Sequence, residues 1–260
     1  MLSDLSVYYT LKSLKLVSEC KISKFNEQLL LKEYLTYKIF NLLTDISFRV
    51  RLLNLTLQDS SGKNKPITEY AFLLEDVKEL AKRNNCAEWK GGKRNTEATQ
   101  RKQMTMVAIF EYMIGNTDWS VQYLQNIRLI SADSNSVPIT VPYDFDMSGI
   151  VNSPYATPAE ELIMTSVRER RYRGYCVQDM KIFDKAIELY NSRKKDIYSI
   201  FTNCPLLDEK YIKSTIKFLD EFYATINNTN AVKKEFGYPC DKNGTGNVVI
   251  KGLKEESPTD

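Results

Sequence analysis

Two short polar motifs interrupt segments of this sequence that otherwise have the pattern of core-forming helix and strand. The first is GNTDWSVQYLQN at residues 115–126, and the second is VPYDFDMSG at residues 141–149. Together they hold three Asp and two Asn. Carboxylate and amide groups are costly to bury without a partner, and their oxygens are the ligands that hard divalent cations prefer. A fold that places both motifs beside its core therefore has to gather them at a cleft or around an ion.

The segment ahead of the first motif predicts a helix that stops abruptly where the motif begins. Residues 96–114 have helical periodicity with one apolar stripe. Gly115 falls where a left-handed C-terminal cap is expected. The helix would then deliver the chain directly into Asn116-Thr117-Asp118.

A predicted β-hairpin joins the two motifs. Its strands cover residues 127–130 and 139–141, and its turn centres on Ser134 and Asn135. In that register Asn126 lies roughly opposite Tyr143 and next to Asp144. Adjacent strands are about 4.8 Å apart, so one ion could touch the side chains of Asn126 and Asp144.

The other periodic segments predict a chain of the α+β class. A strand is expected within residues 5–17, and Asn26 is the expected N-cap of an apolar helix over residues 27–43. Further predicted elements are strands 48–57 and 69–74, helix 75–84, a polar loop over 84–95, and helices 159–171, 177–201 and 208–227. The last segment, 229–260, is predicted to be a tail with one strand, VVIKGL, and a disordered charged end.

The composition excludes several kinds of site. The chain has 260 residues, a net charge of +3 and no His, so it has neither an imidazole base nor a His-rich zinc site. The oxygen ligands of the motifs point to magnesium, calcium or manganese. The small net charge gives no indication of a nucleic-acid partner. The basic run RERRYR at residues 168–173 is predicted to be a solvated helix face, and the alternative is that Arg168 and Arg173 contact phosphate or substrate.

Cysteine usage and hydropathy say less. The five cysteines are Cys20, Cys86, Cys176, Cys204 and Cys240. They lack CxxC spacing, and their odd number neither requires nor excludes disulfides. No apolar run reaches the length of a membrane span, and the first twenty residues do not have the pattern of a signal peptide. We expect a chain that is soluble as given, with its localisation left open.

The order of the polar residues matches the machinery of phosphoryl transfer. In kinases a loop Asp accepts or orients the proton of the attacking hydroxyl, and an Asn and a second Asp hold magnesium against the nucleotide phosphates. Asp118, Asn126 and Asp144 fill those places in chain order. Asp146 would bind a second metal or support the loop through hydrogen bonds. The alternatives are that Asp118 caps the helix exit and that Asp144 caps a turn.

One spacing departs from the protein-kinase pattern. Asp118 and Asn126 are eight positions apart, which is longer than the spacing in the HRDxxxxN loop, so the extra residues would have to bulge out. The stretches GNTDWS and PYDFD, preceded by NEQLLLKEYLTYKIFNLL and SFRVRLL, resemble the atypical kinases of the spore-coat CotH-like family and the wider HipA-like group. In those families a GNxD-type loop replaces the HRD loop. The resemblance covers roughly residues 11 to 200.

The resemblance implies a protein-kinase-like two-lobe α+β fold that uses ATP and Mg²⁺, with Mn²⁺ as the alternative ion. Residues 1–83 would form a small β-rich N-lobe and 84–95 the inter-lobe loop. Residues 96–228 would form a mainly helical C-lobe with the catalytic loop and the metal-binding hairpin, and 229–260 a tail.

The resemblance also implies a strand lysine that contacts the nucleotide phosphates and a helix glutamate that holds it. Glu33 lies in an apolar row of its predicted helix, where a lone carboxylate is costly, and Lys15 in the preceding strand is its expected partner, with Lys12 in reserve. The alternative is that Glu33 reaches solvent and that Lys15 merely ends a strand. Glu75 falls where the hinge and the adenine site are expected.

The start of such a domain is not evident in this sequence. Kinase N-lobes open with a glycine-rich hairpin ahead of the lysine strand, but fourteen residues precede Lys15 and no Gly occurs before Gly62. Either the chain is a fragment of a longer protein, on which an export signal could lie, or its phosphate lid is built differently.

Three functions follow as expectations. The first is a Mg²⁺-dependent phosphotransferase that moves the γ-phosphate of ATP to a protein or small-molecule hydroxyl. The second is a catalytically inactive binding or scaffold domain of kinase shape. The third is a metal-dependent hydrolase with Asp118, Asp144 and Asp146 around two ions, in which Lys15 and Glu33 have no role.

Overall fold

Helices and antiparallel strands both contribute to the fold, as the mixed periodicity predicts. The structure is a computed structural model that describes residues 14–19 and 23–241. Within these residues the chain is α+β, with six α-helices and two three-stranded antiparallel sheets. The strands are β1 Lys15–Ser18, β2 Val50–Leu57, β3 Ile67–Leu74, β4 Ala87–Glu88, β5 Ile127–Ser131 and β6 Ile139–Pro142. The helices are α1 Lys24–Leu43, α2 Val77–Arg83, α3 Arg101–Ile114, α4 Asp184–Thr202, α5 Glu209–Ile226 and α6 Thr229–Phe236.

The first sheet packs against α1. Its strand order is β1-β3-β2, so β3 is central, and Ala71, Phe72 and Leu74 of β3 are buried. α1 is buried over most of its circumference, as its apolar sequence predicts, and it also packs against α4. The predicted strands in 48–57 and 69–74 are confirmed. The predicted strand over residues 5–17 is described only from Leu14 onward.

The predicted N-cap of α1 is wrong. The helix begins at Lys24, and the Ser23 hydroxyl accepts a hydrogen bond from the Asn26 N–H at 3.1 Å. Asn26 therefore lies inside the first turn. Both residues are good caps in isolation, so the sequence alone does not decide between them.

The second sheet brings a distant segment beside the predicted hairpin. Its order is β4-β5-β6, and Ala87 pairs with Ser131. β4 therefore lies inside the segment 84–95 that was predicted to be a loop. Cross-strand pairing with β5 makes this strand, because a two-residue strand has no periodicity that the sequence could reveal.

The predicted helix over residues 159–171 is wrong. The structure has a short 3₁₀ turn at Glu160–Leu162, and the rest of this segment is irregular. The run at 168–173 is half-buried rather than a solvated helix face. Its arginines donate to main-chain carbonyls elsewhere: Arg168 to Gly149, Arg170 to Met113 and Phe218, and Arg173 to Thr117 and Trp119. These side-chain bonds hold the irregular segment against the rest of the fold.

The C-terminal part of the described chain is helical and closed by a disulfide. α6 occupies the start of the predicted tail and buries Val232 and Phe236. Cys176 and Cys240 form a disulfide across a separation of 64 residues. The predicted strand VVIKGL lies outside the described residues. No described helix combines the length and the apolar character that a membrane span requires.

Lys32 on α1 is a buried cation, and replacing it with Met is expected to stabilise the protein. It is 4% exposed, and burial lowers its pKa from 10.5 to about 8, with a smaller contribution from Arg168. That shift corresponds to roughly 3 kcal/mol near neutral pH. The Val151 carbonyl, which accepts from the Lys32 ammonium, would lose its donor at a cost of about 1 kcal/mol. The net expected gain is about 2 kcal/mol.

The sign of this effect can be checked with pH. Between the folded and unfolded pKa values the unfolded chain binds the extra proton, so the stability of the wild type rises with pH there. The advantage of Lys32→Met should be full below about pH 8 and lost above about pH 10.5. Urea unfolding of both proteins on either side of this window measures it. An advantage that does not change with pH would contradict the explanation.

Candidate functional site

The two polar motifs meet where α3 ends. Gly115 has φ 67° and caps α3 in the left-handed conformation, which confirms the prediction. A side chain here would meet the Phe218 ring at 2.9 Å and the Val167 carbonyl at 3.2 Å. The carbonyl of Gly115 accepts from the Gly149 N–H at 3.0 Å. This bond ties the end of the second motif to the start of the first.

The long spacing between Asp118 and Asn126 is taken up by a closed turn. Ser120 and Gln125 exchange two backbone hydrogen bonds of 3.0 Å, so residues 121–124 project as a turn. Asn126 is in the left-handed region with φ 51°. The extra residues predicted to bulge out are therefore the turn 121–124, which the bridge between Ser120 and Gln125 closes.

The same turn aims two amides at Asp118. Asn126 Nδ2 donates to one carboxylate oxygen of Asp118 at 2.9 Å and to its main-chain oxygen at 2.7 Å. Gln125 Nε2 donates to the other carboxylate oxygen. The Asn116 side-chain oxygen accepts from the Asp118 N–H at 3.0 Å. Asp118 is thus held on both sides, and the side-chain oxygen of Asn126 is left to accept from, or to ligate, another group.

The hairpin has the predicted register. Ile127 pairs with Pro142, and the Tyr143 N–H donates to the Asn126 carbonyl at 3.0 Å. Asn126 therefore lies opposite Tyr143, and Asp144 follows directly.

Aromatic packing sets the position of Asp144. Its backbone has φ 65°, and its N–H donates to the Tyr37 hydroxyl at 2.8 Å. Phe145 is fully buried, with its ring 4.6 Å from that of Tyr37 and 5.3 Å from that of Phe110. Because Phe145 is anchored in the core, the acids on either side of it, Asp144 and Asp146, lie at the edge of the core.

Asp146 is held by the segment that follows. The Tyr155 hydroxyl donates to a carboxylate oxygen of Asp146 at 3.0 Å, and the Ser153 hydroxyl donates to its main-chain oxygen at 2.9 Å. These contacts fit a role in supporting the loop, and they leave one carboxylate oxygen for another group.

Four carboxylates, Glu33, Asp118, Asp144 and Asp146, are linked by repulsion in which Asp144 and Asp146 are the common members. Burial raises the pKa of the Glu33 carboxyl well above its usual range, and Asp144 and Asp146 raise it further. Burial raises the pKa of Asp144, followed by repulsion from Asp146, while Lys15 lowers it. Burial also raises the pKa of Asp118, again followed by Asp146. Like charges this close destabilise one another, so the cluster would be stabilised by a bound cation.

Three of these acids line a cavity of about 510 Å³, and Asp118 is not part of that lining. Its lining includes Glu33, Asp144 and Asp146, together with Val17 and Ser18 of β1. The cavity thus lies between the first sheet and the loop after β6. It is the described space in which a ligand could contact β1, α1 and the second motif together.

The donor set fits a magnesium ion. Within the described residues no three His, Cys, Asp or Glu side chains form a ready-made metal cluster. Magnesium is commonly held by one or two carboxylates together with substrate phosphates and water. Asn126, Asp144 and Asp146 could supply an amide oxygen and two carboxylates, which agrees with that pattern.

Lys15 lies near the acids without pairing with Glu33. Its side chain is exposed, and its ammonium lies 5.8 Å from the centre of the Tyr143 ring. The described ion pairs do not include one between Lys15 and Glu33, although Lys15 lowers the pKa of Glu33. Lys12 lies outside the described residues.

Glu75 has a structural environment. Its carboxylate pairs with Arg83 at 2.9 Å and accepts from the Arg49 N–H at 3.0 Å. Both oxygens are therefore engaged in joining β2, β3 and α2. Its role as a nucleotide contact stays a prediction.

Sequence reasoning missed a positioning residue, Arg173. Its guanidinium donates to the carbonyls of Thr117 and Trp119, on either side of Asp118. Burial lowers the pKa of Arg173 to about 10, opposed first by the charge of Asp118 and then by Glu111. The sequence contains no local signal for this contact, because more than fifty positions separate the partners.

Tyr37 is the second residue whose role the sequence did not reveal. Replacing it with Phe is expected to lower the free energy of unfolding by about 1–3 kcal/mol, because the Asp144 N–H loses its hydrogen-bond acceptor. Chemical denaturation measures the change. Tyr123→Phe is the matched control: within the described residues its hydroxyl has no hydrogen bond, and a change within about 0.5 kcal/mol is expected. Equal effects of the two substitutions would show that the Tyr37 hydroxyl does not hold Asp144.

Comparisons with known proteins do not assign the chain. No protein-family model matches it, and no curated protein matches it significantly. The functional argument therefore rests on the site. Of the predicted residues, the structure gathers Glu33, Asp118, Asn126, Asp144 and Asp146, places Lys15 at their edge, and places Glu75 in an ion pair with Arg83.

Proposed function

We propose that the chain is a Mg²⁺-dependent phosphotransferase that moves the γ-phosphate of ATP to a protein or small-molecule hydroxyl. The observation that carries the proposal is that Glu33, Asp144 and Asp146 line one cavity, while Asp118 with its partner Asn126 lies close enough for its charge to act on Asp144. A bound magnesium ion would offset the negative charge of these acids, and it would in turn hold the phosphates of the nucleotide.

Asp118 is the proposed base. Its two amide donors fix the direction of the carboxylate, which is what positioning an attacking hydroxyl requires. Burial raises the pKa of Asp118 from its usual value, toward the range in which proton acceptance near neutral pH is efficient. Arg173 holds the main chain on both sides of it.

Asn126 and Asp144 are the proposed magnesium ligands, and Asp146 supports the loop or binds a second ion. When bound, the metal would neutralise charge on the phosphates during transfer. Left-handed backbone at Asn126 and Asp144 fits this assignment, because strained residues concentrate where a site needs defined side-chain positions.

Lys15 and Glu33 are the proposed phosphate contact and its partner. Glu33 lines the cavity and the exposed Lys15 side chain lies beside Tyr143, so the distance between them has to shorten for an ion pair to form. Arrival of anionic phosphates would draw the exposed Lys15 side chain inward, and Lys15 already lowers the pKa of both Glu33 and Asp144.

Within the α+β class, the fold that we propose is the two-lobe arrangement of kinases. The sheet β1-β3-β2 with α1 would form the N-lobe, and the second sheet with α3 to α6 the C-lobe. Support comes from the position of the cavity, which β1 and α1 line on one side and the loop after β6 lines on the other.

A kinase-shaped binding domain without activity is the second candidate. Two observations favour it: both carboxylate oxygens of Asp118 are engaged by amides, and Lys15 is exposed rather than paired with Glu33. An inactive domain could keep the acids as a nucleotide or metal site without turnover.

Thermal unfolding with ATP and Mg²⁺ tests the shared requirement of nucleotide binding. At a ligand concentration of about 100 times Kd, the free energy of unfolding should rise by about 2.7 kcal/mol. ATP with excess EDTA, and Mg²⁺ without nucleotide, are the controls and should give smaller shifts. No shift with any nucleotide would end the proposal. Transfer of labelled γ-phosphate then separates the enzyme from the inactive binding domain.

A further inference from the structure

A second cavity lies next to the acidic one along α1. It has a volume of about 610 Å³, and α1, α5 and residues 150–168 contribute to its wall. Its lining contains three cations, Lys32, Arg168 and Lys210, and no Asp or Glu. The hydroxyl residues of the lining are Ser153, Thr157, Thr165, Ser166, Tyr211, Ser214 and Thr215. This cavity is therefore positively charged, whereas the cavity lined by Glu33, Asp144 and Asp146 is negatively charged.

Lys32 is the buried cation of the cavity. It is 4% exposed, and its ammonium donates to the Val151 carbonyl and lies 5.1 Å from the centre of the Tyr211 ring. A lysine ammonium has three donors. The described ion pairs include none with Lys32. Its charge is thus buried with a single carbonyl acceptor.

Arg168 adds a second cation, and the described ion pairs do not include it. One guanidinium nitrogen donates to the Gly149 carbonyl at 3.1 Å, and the group stacks 4.2 Å from the centre of the Phe218 ring. The nearby acid Glu221 pairs instead with Arg170 at 3.3 Å. Arg168 and Lys32 also repel each other, since Arg168 lowers the pKa of Lys32. Lys32 is buried and Arg168 is half-buried, and the charge of Glu221 offsets only that of Arg168. A buried charge without an ion pair is costly, and an anion between the two cations would offset that cost.

We propose that this cavity is a binding site for a phosphate group, either free phosphate or the phosphate monoester of a small ligand. A phosphate offers several acceptor oxygens and up to two negative charges, which match two charged donors and a rim of hydroxyls. The planar guanidinium of Arg168 suits phosphate geometry, and Lys32 contributes a compact charge. The exposed Lys210 lies at the rim.

The site is separate from the proposed catalytic cavity but borders it. The two cavities share Leu29, Ser153 and Pro154 in their linings. Ser153 also donates to the main chain of Asp146. A phosphate in the basic cavity would therefore be separated from Asp146 by the segment that contains Ser153 and Pro154. The proposal does not rest on phosphoryl transfer and stands or falls by itself.

Isothermal titration calorimetry with inorganic phosphate tests the site. Saturable binding of one phosphate per chain is expected, and Lys32→Met should weaken it roughly tenfold or more, since a hydrogen bond between charged groups is lost. Arg168→Lys keeps the charge and removes the planar fork, so a smaller weakening is expected. Lys213→Gln is the matched control: Lys213 lies on α5, pairs with Glu209 at 2.7 Å and does not line the cavity. It should bind as wild type does.

Two further measurements identify which phosphate compound binds and in which cavity it binds. Tighter binding of phosphoserine than of inorganic phosphate would indicate a phosphorylated ligand, and equal affinity would indicate free phosphate. Asp144→Asn should leave phosphate binding intact while removing stabilisation by ATP and Mg²⁺, so the two proposals fail separately. The proposal is overturned if no saturable binding occurs, or if Lys32→Met binds phosphate as tightly as wild type does.

Discussion

Replacing Asp144 with Asn is expected to lower phosphoryl transfer by about 10²–10³-fold, the range found when one electrostatic contact in a transition state is lost. Asn keeps the size and the backbone N–H that donates to the Tyr37 hydroxyl, so the loop should hold its position. What is lost is the charge beside the proposed metal ion. The measurement is transfer of labelled γ-phosphate, together with the thermal shift caused by ATP and Mg²⁺.

The same substitution has a second expected effect with the opposite sign. Burial and repulsion from Asp146 raise the pKa of Asp144, so at pH values above its usual pKa the ionised carboxylate lowers the stability of the folded protein. Without ligand, Asp144→Asn should therefore be at least as stable as the wild type. A variant that loses nucleotide binding and also unfolds easily would show a structural role. Asp196→Asn, at an exposed position on α4, is the control and should change neither property.

Removal of the disulfide is the prediction with the largest expected effect on stability. Replacing both Cys176 and Cys240 with Ser should lower the free energy of unfolding by about 4 kcal/mol, because the bridge closes a long loop in the unfolded chain. The cysteines are 64 positions apart. Between them lie the irregular residues just after 176 and the helices α4 to α6, so the bridge also limits where this region can separate from the core.

Denaturant unfolding with and without reductant measures this effect. Cys86→Ser with Cys204→Ser is the matched control, since both thiols are free, and a change of about 1 kcal/mol or less is expected. Identical unfolding of the wild type in oxidising and reducing buffer would contradict the prediction. A bridge that contributes this much predicts that the protein folds in an oxidising compartment.

Two of the incorrect sequence predictions have a common cause. Residues 159–171 have helical periodicity, yet the arginines of this segment find acceptors at Gly149, Met113 and Phe218. Tertiary hydrogen bonds to these carbonyls outweigh a weak local preference for helix. β4 has the same explanation, because its two residues become a strand through pairing with β5.

The correct predictions are local in origin. The left-handed cap at Gly115 follows from a helix that stops at a residue without a side chain, and the register of Asn126 opposite Tyr143 follows from the length of one hairpin. The α+β class follows from two periodicities in one chain. Interactions within a few residues determine these features, so the amino-acid order is sufficient to predict them.

Tertiary structure alone decided the electrostatics. The contact of Tyr37 with Asp144 spans 107 positions, and that of Lys32 with Val151 spans 119. The oxygen donors of the two motifs can be identified from the sequence. Their repulsion, the neighbouring basic cavity and the pairing of Cys176 with Cys240 depend instead on how α1 packs against the other elements. Burial is a property of the whole packed chain, and burial determines which of these charges are costly and which ligands would stabilise them.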